Sequence, residues 1–303
     1  MGAGHDHGPV TAGAANKRKL ALVLGMMLVV AVVQVTGSAF SGSLALLADA
    51  GHTVTDSLGV ALALAAVWIA ARPAAGKRTF GLQRAEILAA AVNAIVLFVL
   101  CGFIVMEAVE RFREPAEVSG IGMVLVAGFG LVMNVVALFV LRSGAKESLN
   151  VKGAYLEVMS DALASVGVIL GGLIVLFTGW QQADTLVSLG IAAIIVPRAW
   201  SLLKEAVHIL LEAAPKGTDL DELRSHLMEH PAVVDVHDLH VWTITSGVPV
   251  MSAHVVVADE DLGDTGRMLD ELHECLAGHF DVEHSTLQLE PPGHTHHEGA
   301  LHV

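Results

Sequence analysis

Four ionisable residues lie inside long apolar segments of the sequence, in two pairs with the same spacing. His52 precedes Asp56 by four positions, and Glu157 precedes Asp161 by four positions. On a helix this spacing places both side chains of a pair on one face, about one turn apart. An ionisable group near the bilayer centre costs roughly 3 kcal/mol or more, so it normally faces a bundle interior and serves a function. Together, one imidazole and three carboxylates would coordinate a divalent metal ion, which indicates a metal path through a membrane.

The composition of the chain is typical of a membrane protein. Of its 303 residues, 54% are hydrophobic and 16% are charged, and the mean hydropathy is +0.64. Soluble domains carry about 25% charged residues, and a hydrocarbon core about 30 Å thick requires roughly 20 apolar residues per helix. The sequence therefore predicts six spans, the last of which Pro197 and Arg198 interrupt near its end. The spans are Leu20–Phe40, Leu44–Ala71, Ala85–Val109, Ser119–Leu141, Ala154–Phe177 and Ala183–Leu203.

The Lys and Arg residues around the spans predict the orientation, because such residues collect on the cytoplasmic side. Arg111 and Arg113, between the third and fourth spans, lie on the opposite side from the others. The others are Lys17, Arg18, Lys19, Arg72, Lys77, Arg78, Arg84, Arg142, Lys146, Lys152, Arg198 and Lys204. We therefore expect a multi-pass protein of the cell membrane, embedded in lipid, with both termini in the cytoplasm. The first apolar run is longer than that of a signal peptide, and five more spans follow it.

Other polar residues also occur inside the predicted spans. Interhelical hydrogen bonding is the role that we expect for them, in preference to direct contact with an ion. These residues are Gln34, Asn93, Asn134, Ser160 and Ser165. A structural ion pair with a neighbouring helix is the alternative role of the His52–Asp56 pair or of the Glu157–Asp161 pair. The sequence argues against it for both together, because no Lys or Arg is expected inside a span to neutralise them.

From Glu212 onward the chain becomes acidic. This part has 18 acidic side chains and three basic ones, a net charge of −15 with His neutral, whereas the whole chain carries −14. The charge disfavours nucleic acid and anionic lipid as partners and suits cations. A merely soluble acidic surface explains the sign equally well. Cys101 and Cys275 fall in different parts of the chain, so we do not expect them to pair.

Apolar periodicity predicts a small α+β domain within this acidic part. Its helices and strands follow in the order α-β-β-α-β, with Thr218 as the N-cap of the first helix. The predicted elements are Asp219–Glu229, Val233–Thr245, Val250–Val257, Thr265–Ala277 and Ser285–Glu290. This order predicts an antiparallel sheet with helices on one face, which leaves the other face free for a partner.

The sequence thus divides into four parts. Residues 1–16 are predicted to be a disordered tail, residues 17–209 a six-helix transmembrane domain, residues 210–292 the cytoplasmic α+β domain, and residues 293–303 a His-rich tail. The tails contain His5, His7, His294, His296, His297 and His302. Such residues either raise the local concentration of metal or reflect incidental composition.

Several motifs taken together are highly specific. They are Leu47–Asp56, Phe80-Gly81 with Arg84, Glu86 and Asn93, Asn150–Asp161, Leu210–Pro215, and Val236–Trp242. Through these motifs the chain resembles the cation diffusion facilitator family of metal/proton antiporters over almost its whole length. The resemblance implies an α-helical membrane protein with a six-helix bundle and a metallochaperone-like (ferredoxin-like) cytoplasmic domain. It also implies a homodimer and the efflux of zinc or similar ions against inward protons.

The resemblance also assigns the transport site. His52, Asp56 and Asp161 match the family's transport positions, whereas Glu157 stands where zinc-type members usually have His. This difference leaves zinc as the favoured ion and cobalt, cadmium, iron or manganese as alternatives. With His52 neutral, three carboxylates would give the site a charge of −3, so we expect Glu157 to retain a proton in one transport state. Asp49, one turn before His52, is a candidate for the outer access path.

A second metal site is implied in the cytoplasmic domain. By the same resemblance its candidate ligands are His237, His240, His254, His284 and Glu290. The sequence has no Gly-rich phosphate-binding loop that would indicate ATP use, so we expect a transporter and not an enzyme. No cofactor is expected beyond a divalent metal ion that serves as substrate and regulator, with Zn²⁺ as the favoured ion. The alternative is a metal-gated channel or a membrane-anchored metal sensor, although two paired ligands on each of two helices suit one tightly bound ion better than a queue of ions.

Overall fold

The computed structural model describes residues 10–70, 78–142, 149–245, 247–258, 265–280, 282 and 284–294. Six long helices come first: α1 (Val10–Ser41), α2 (Leu44–Ala70), α3 (Ala85–Arg113), α4 (Gly120–Leu141), α5 (Leu149–Thr178) and α6 (Gln182–Leu210). They are followed by α7 (Leu220–Leu227), β1 (Val233–Thr245), β2 (Val248–Val257), α8 (Thr265–Phe280) and β3 (His284–Glu290). The chain forms two compact units, and the second combines Ile69–Ala89 with the residues from Lys204 onward.

The first unit is a helical membrane domain. Within the part of the chain that the structure describes, five helices are long and apolar enough to cross a membrane. They are Lys19–Ser41, Ala85–Arg113, Gly120–Leu141, Ala154–Thr178 and Gln182–Leu210. The second predicted span is also a helix, the 27-residue α2, but it is not among these five. The count of six spans therefore stays a prediction.

Two helices differ from the sequence-based expectation. The first is α1, which begins at Val10 and so includes the end of the segment predicted to be a disordered tail. Several alanines there favour a helix that continues outward from the apolar run. The second is α6, which continues through Pro197 to Leu210, so the predicted interruption is wrong. A proline removes one backbone donor, and the remaining hydrogen bonds of a long membrane helix keep the helix continuous past it.

Residues 1–9 and 295–303, with their predicted tail histidines, lie outside the described residues.

Close packing in this unit depends on small residues. A Cβ atom on Gly120 of α4 would lie 2.7 Å from the carbonyl oxygen of Gly172 in α5. A Cβ atom on Gly172 would in turn lie 2.8 Å from Cβ of Met123. Because lipid offers helices little hydrophobic reason to associate, close backbone approach at such residues supplies much of the packing energy. The helices α4 and α5 therefore form a tight pair, and α5 carries Glu157 and Asp161.

The second unit contains a three-stranded sheet in the order β1-β2-β3. The strands β1 and β2 form an antiparallel hairpin, but β3 runs parallel to β2. The prediction of a wholly antiparallel sheet is therefore wrong. The physical reason is that α8 lies between β2 and β3 in the chain, and a crossover helix returns the chain to the end where β2 began. The N-cap of α7 is Asp219 and not Thr218, because the Asp219 side chain accepts hydrogen bonds from two backbone N–H groups of the first turn.

One face of this sheet packs against α7 and α8. The shared core is formed by Leu223, Leu227, Val236, Val241, Met251, Ala253, Val255, Val257, Met268, Leu272 and Leu276. Because side chains alternate between the two faces of a strand, Ser252 and His254 of β2 lie on the face opposite these helices. The expectation that helices cover only one face is met by this arrangement.

Candidate metal centres

Three of the four predicted transport residues lie together in the interior of the first unit. The Nε2 atom of His52 is 3.4 Å from Oδ2 of Asp56 and 3.5 Å from Oδ1 of Asp161. One ligand atom from each residue lies within 4.8 Å of the other two. His52 and Asp161 are buried, and the Asp56 side chain is 9% exposed. The structure thus brings α2, which carries His52 and Asp56, next to α5, which carries Asp161.

The polar atoms of this triad are poorly satisfied by the protein itself. Nδ1 of His52, Oδ2 of Asp56 and both carboxylate oxygens of Asp161 are buried and have no hydrogen-bond partner among the described residues. Buried polar atoms are nearly always hydrogen-bonded, so a group of unsatisfied ones calls for a missing partner. One imidazole and two carboxylates form a donor set that suits a divalent cation or protons. The residues present therefore fit a divalent metal ion.

The fourth predicted residue, Glu157, has a different partner. Its carboxylate accepts a hydrogen bond from Nη2 of Arg198 in α6, and its side chain is 27% exposed. Nη1 of Arg198 also lies 3.9 Å from Oδ2 of Asp56. The expectation that no Lys or Arg inside a span neutralises the two pairs is therefore wrong, because Arg198 lies beside both Glu157 and Asp56. Sequence reasoning counted Arg198 among the basic residues of the cytoplasmic side, at the interrupted end of the last predicted span.

The position of α2 depends on Asp184, a residue that the sequence analysis missed. Asp184 lies in the first turn of α6 and is fully buried. It accepts hydrogen bonds from Oγ of Ser43 at 2.6 Å, from the backbone N of Leu44 at 2.8 Å and from that of Ala45 at 3.2 Å. The carboxylate thus caps α2 from another helix, which satisfies donors that a helix start leaves unpaired. The signal in the sequence was an acidic residue at the edge of an apolar run.

Neighbouring helices also hold the segment around His52. The amide of Asn93 in α3 donates to the backbone oxygen of Thr55, at 3.3 Å, and that of Gln34 in α1 donates to Oδ2 of Asp49, at 2.5 Å. The predicted interhelical hydrogen bonding is thus confirmed for Gln34 and Asn93. Asp49 is fully buried. Its Oδ2 atom therefore serves an interhelical contact in this structure, and its role in an access path stays a prediction.

In the second unit, three predicted ligands lie together on the sheet face opposite the helices. His237 of β1 and His254 of β2 are directly paired across the hairpin, and their ring centroids are 5.2 Å apart. The Nε2 atom of His237 is 3.1 Å from Oε1 of Glu290, and Nδ1 of His254 is 3.6 Å from Oε2 of Glu290. All three offer ligand atoms within 4.8 Å of one another. We call these three residues the sheet-side cluster.

The other predicted ligands of this domain lie at its edge. Nε2 of His240 is 2.9 Å from Oδ1 of Asp238, whose Oδ2 is 3.8 Å from Nε2 of His254. Asp238 has a φ of 50° at a bulge between His237 and His240, a left-handed conformation that Asp tolerates better than most residues. His284 begins β3, and its ring stacks edge-on against Phe80 at 5.9 Å. Sequence reasoning overlooked Asp238 as a connecting carboxylate, although it stands inside a motif that carried the family resemblance.

The apolar helical unit and the acidic α+β unit define a class, that of multi-pass membrane proteins with a C-terminal cytoplasmic domain. Two family models cover nearly the whole chain: "Cation efflux transmembrane domain" matches residues 20–211, and "Cation efflux protein, cytoplasmic domain" matches residues 215–292. The chain belongs to the cation efflux family, the cation diffusion facilitators, which are transporters of metal ions and not enzymes.

Curated relatives are similar over almost their whole length. The metal cation efflux system protein CzcD of Cupriavidus metallidurans is 44% identical over 96% of this chain and 90% of its own length. The zinc transporter ZitB of Escherichia coli is 42% identical over 91% of this chain and 88% of its own. A cadmium, cobalt and zinc/H(+)-K(+) antiporter of Bacillus subtilis is 36% identical over 99% and 96%. Among solved structures, the metal-bound C-terminal domain of the CzcD transporter is 38% identical to this chain, with a TM-score of 0.23. The match covers 24% of this chain and 99% of that domain.

Proposed function

We propose that the protein exports divalent cations of the zinc type from the cytoplasm in exchange for protons. The observation that carries the proposal is the triad of His52, Asp56 and Asp161, whose ligand atoms lie within 4.8 Å of one another inside an apolar bundle. Relatives named for the transport of zinc, cobalt and cadmium support this ion class. Among these ions, zinc is the first choice because it combines imidazole and carboxylate ligands readily.

Exchange with protons follows from the chemistry of the ligands. A carboxylate or imidazole must lose its proton before it binds a metal, so metal and protons compete for the same atoms. If the triad faces the cytoplasm when loaded with metal and the outside when loaded with protons, the proton gradient drives the metal out. The buried, unsatisfied oxygens of Asp161 support this role, since they need one occupant or the other.

Glu157 and Arg198 adjust the charge of the site. With His52 neutral, the carboxylates of Asp56, Glu157 and Asp161 give the site a charge of −3. The positive charge of Arg198 brings this net charge to −2. A bound divalent ion then leaves the site neutral, a suitable charge for a low-dielectric bundle. In this scheme Glu157 is a fourth, exchangeable ligand, which leaves Arg198 when metal arrives. Glu157 therefore does not need a proton to balance the charge of the site while Arg198 is beside it.

The cytoplasmic domain serves regulation in this proposal. His237, His254 and Glu290 would bind metal on the sheet face that α7 and α8 leave uncovered, with His240 and His284 as further ligands. A second copy of the chain would pack against that face, so that metal stabilises a homodimer in the form that binds it. We also propose that the chain lies in the cell membrane with both termini in the cytoplasm, because the Lys and Arg residues of the loops are biased to one side.

The test uses purified full-length protein in liposomes with a zinc indicator and a pH indicator inside. An imposed pH gradient should drive zinc uptake, and a zinc gradient should drive proton movement in the opposite direction. Asp161→Asn should abolish both fluxes. Glu205→Gln is the matched control, because it removes a carboxylate whose partner is the exposed Lys216, and it should leave both fluxes unchanged.

Other outcomes of the same assay separate the alternative functions. Zinc movement that is independent of the pH gradient, at rates that give measurable conductance in a planar bilayer, would identify a metal-gated channel. Zinc binding by the purified protein without any flux would identify a membrane-anchored sensor. Either result would overturn the antiport proposal, because antiport requires that zinc and protons move in a fixed ratio.

A further inference from the structure

A second group of metal-ligand side chains lies in the helical layer of the cytoplasmic unit. One ligand atom each of His226, Cys275 and His279 lies within 4.8 Å of the other two. None of the three belongs to the transport triad or to the sheet-side cluster. His226 and Cys275 are half-buried and His279 is exposed, so an ion could reach the group from solvent.

The packing of α7 against α8 holds these residues in place. Cys275 and His279 are four positions apart on α8, so they share one face of that helix. His226 lies in the last turn of α7. Both helices bury leucines in the shared core, Leu223 and Leu227 from α7 and Leu272 and Leu276 from α8, each buried completely or almost so. The three side chains are therefore supported by rigid elements, as a preorganised binding site requires.

The two imidazoles are at the separation that a shared metal ion needs. Nε2 of His226 lies 3.3 Å from Nδ1 of His279. Two nitrogen ligands of a tetrahedral zinc ion, each about 2.0–2.1 Å from the metal, are roughly 3.4 Å apart. Two N–H groups cannot point at each other at this distance, so one of the two nitrogens donates a hydrogen bond and the other accepts it. Nδ1 of His279 also lies 3.2 Å from the backbone oxygen of Cys275, and a metal ion takes the place of the shared proton when His279 carries its hydrogen on Nε2.

A carboxylate orients the first imidazole. Nδ1 of His226 is 3.2 Å from Oε2 of Glu229. When the proton of a neutral His226 is on Nδ1, it donates to this carboxylate, and the lone pair of Nε2 then points towards His279. Histidines that bind metals commonly donate their second ring N–H to a carboxylate in this way, which sets the tautomer and makes the ligand more basic.

We propose that His226, Cys275 and His279 bind one zinc-type cation, with water as the fourth ligand. A thiolate with two imidazoles is a softer donor set than the carboxylate-rich triad in the membrane. It therefore suits zinc and cadmium and disfavours manganese and magnesium. The open fourth position and the exposed side of His279 allow rapid exchange with cytoplasmic metal.

This site differs from the sheet-side cluster in place and effect. The sheet-side cluster lies on the face of the sheet that α7 and α8 leave uncovered. The site of His226, Cys275 and His279 lies on those two helices themselves. An ion bound to His226 of α7 and to Cys275 of α8 joins the two helices and stabilises the folded domain by linkage. The inference stands independently of the proposed transport activity, because it uses no residue of the bundle.

Cobalt titration of the full-length protein in detergent tests the proposal directly. A cobalt ion bound to a thiolate gives an intense near-ultraviolet charge-transfer band, which the transport triad and the sheet-side cluster cannot produce because they contain no cysteine. The described residues include one other cysteine, Cys101, which is buried in α3. We expect the band in wild type and in Cys101→Ser but not in Cys275→Ser. Absence of the band in wild type would overturn the proposal.

Histidine variants then test the rest of the ligand set. His226→Gln and His279→Gln should each raise the cobalt Kd read from the thiolate band by about tenfold or more, and Glu229→Gln by about tenfold, the usual cost of losing an orienting partner. His230→Gln is the matched control, since His230 pairs with Glu271 and belongs to no ligand group among the described residues. An unchanged Kd in both His226→Gln and His279→Gln would show that Cys275 binds cobalt without them, which overturns the site.

A measurement on wild type guards against variants that fail to fold. Iodoacetamide alkylation of Cys275, followed by mass spectrometry, should slow at least tenfold when zinc or cadmium is added and should recover on chelation. Manganese at the same concentration should give no protection. Equal alkylation rates with and without zinc would contradict the proposal, because a thiol bound to a metal reacts slowly with an alkylating agent.

Discussion

Arg198 of α6 donates a hydrogen bond to the carboxylate of Glu157 in α5, and its other terminal nitrogen lies 3.9 Å from Asp56. A cation is therefore held beside the acidic side chains that we assign to transport. By the family resemblance, this position usually holds histidine in zinc-type members, and the presence of Arg198 accounts for a glutamate there. The Glu–Arg pair carries the same net charge as a neutral histidine, so the charge of the surrounding site is preserved.

The first prediction concerns Arg198 itself. Arg198→Met should tighten zinc binding and slow zinc release, each of order tenfold, because unit charges a few Å apart interact by one or more kcal/mol near a protein surface. The maximal transport rate and the KM for zinc should then fall together in proteoliposomes. Arg198→Lys keeps the charge and should retain most of the activity. Equal rates and KM values in wild type and Arg198→Met would show that Arg198 does not influence the bound ion.

The second prediction concerns metal selectivity. Glu157→His alone should impair transport, because it leaves the Arg198 guanidinium without its carboxylate partner beside a cation site. The double variant Glu157→His, Arg198→Met restores two imidazoles and two carboxylates with a charge of −2. It should transport zinc and discriminate more strongly than wild type against cobalt and manganese, because imidazole suits zinc better than carboxylate does.

A panel of metals in proteoliposomes, with wild type, the single variants and the double variant, measures this selectivity. If Glu157→His transports zinc as well as the double variant does, the charge argument is wrong. An unchanged selectivity in both variants would show that Glu157 is not a ligand, and the transport site would then consist of His52, Asp56 and Asp161.

The third prediction concerns the cap that Asp184 places on α2. Asp184→Ala removes the acceptor of three hydrogen bonds and leaves buried N–H groups unpaired, so the free energy of unfolding should fall by roughly 2–3 kcal/mol. Asp184→Asn keeps one acceptor and should lose less. Glu205→Ala, which removes the exposed partner of Lys216, should change stability by at most about 1 kcal/mol. Thermal unfolding in detergent, followed by size-exclusion fluorescence, gives the ranking, and equal stability of Asp184→Ala and wild type would refute the cap.

The fourth prediction concerns Asp238 in the cytoplasmic domain. Asp238 connects His240, at 2.9 Å, with His254, at 3.8 Å. Asp238→Asn tolerates the same backbone conformation but lacks the charge that orients the two imidazoles, so zinc affinity at the sheet-side cluster should fall about tenfold. The zinc-dependent rise in melting temperature of the full-length protein should shrink accordingly. Asp235→Asn, at an exposed ion pair with Arg224, is the control, and the same shift in both variants would count against a role for Asp238.

The elements that the sequence predicts well are those specified by local patterns. Long apolar runs predicted the positions of the membrane helices, and period-two alternation predicted the strands β1 and β2 within about two residues. The i, i+4 pairs on α2 and α5 also followed from local spacing, since a helix fixes which side chains share a face. The motifs around His52 and Asp161 pointed to the cation efflux family, and the matches to the family models show that the chain belongs to it.

Only the tertiary structure decided which distant residues meet. Asp184 caps a helix that begins 140 positions earlier, and Arg198 reaches Glu157 from 41 positions away. The direction of β3 and the approach of His226 to His279, 53 positions apart, likewise depend on how helices pack. The physical reason is that periodicity and capping act over a few residues and determine elements, whereas ion pairs between elements depend on packing angles set by the whole fold. The sequence by itself thus determined the helices and their ligand-bearing faces, and the packing determined the partners of those ligands.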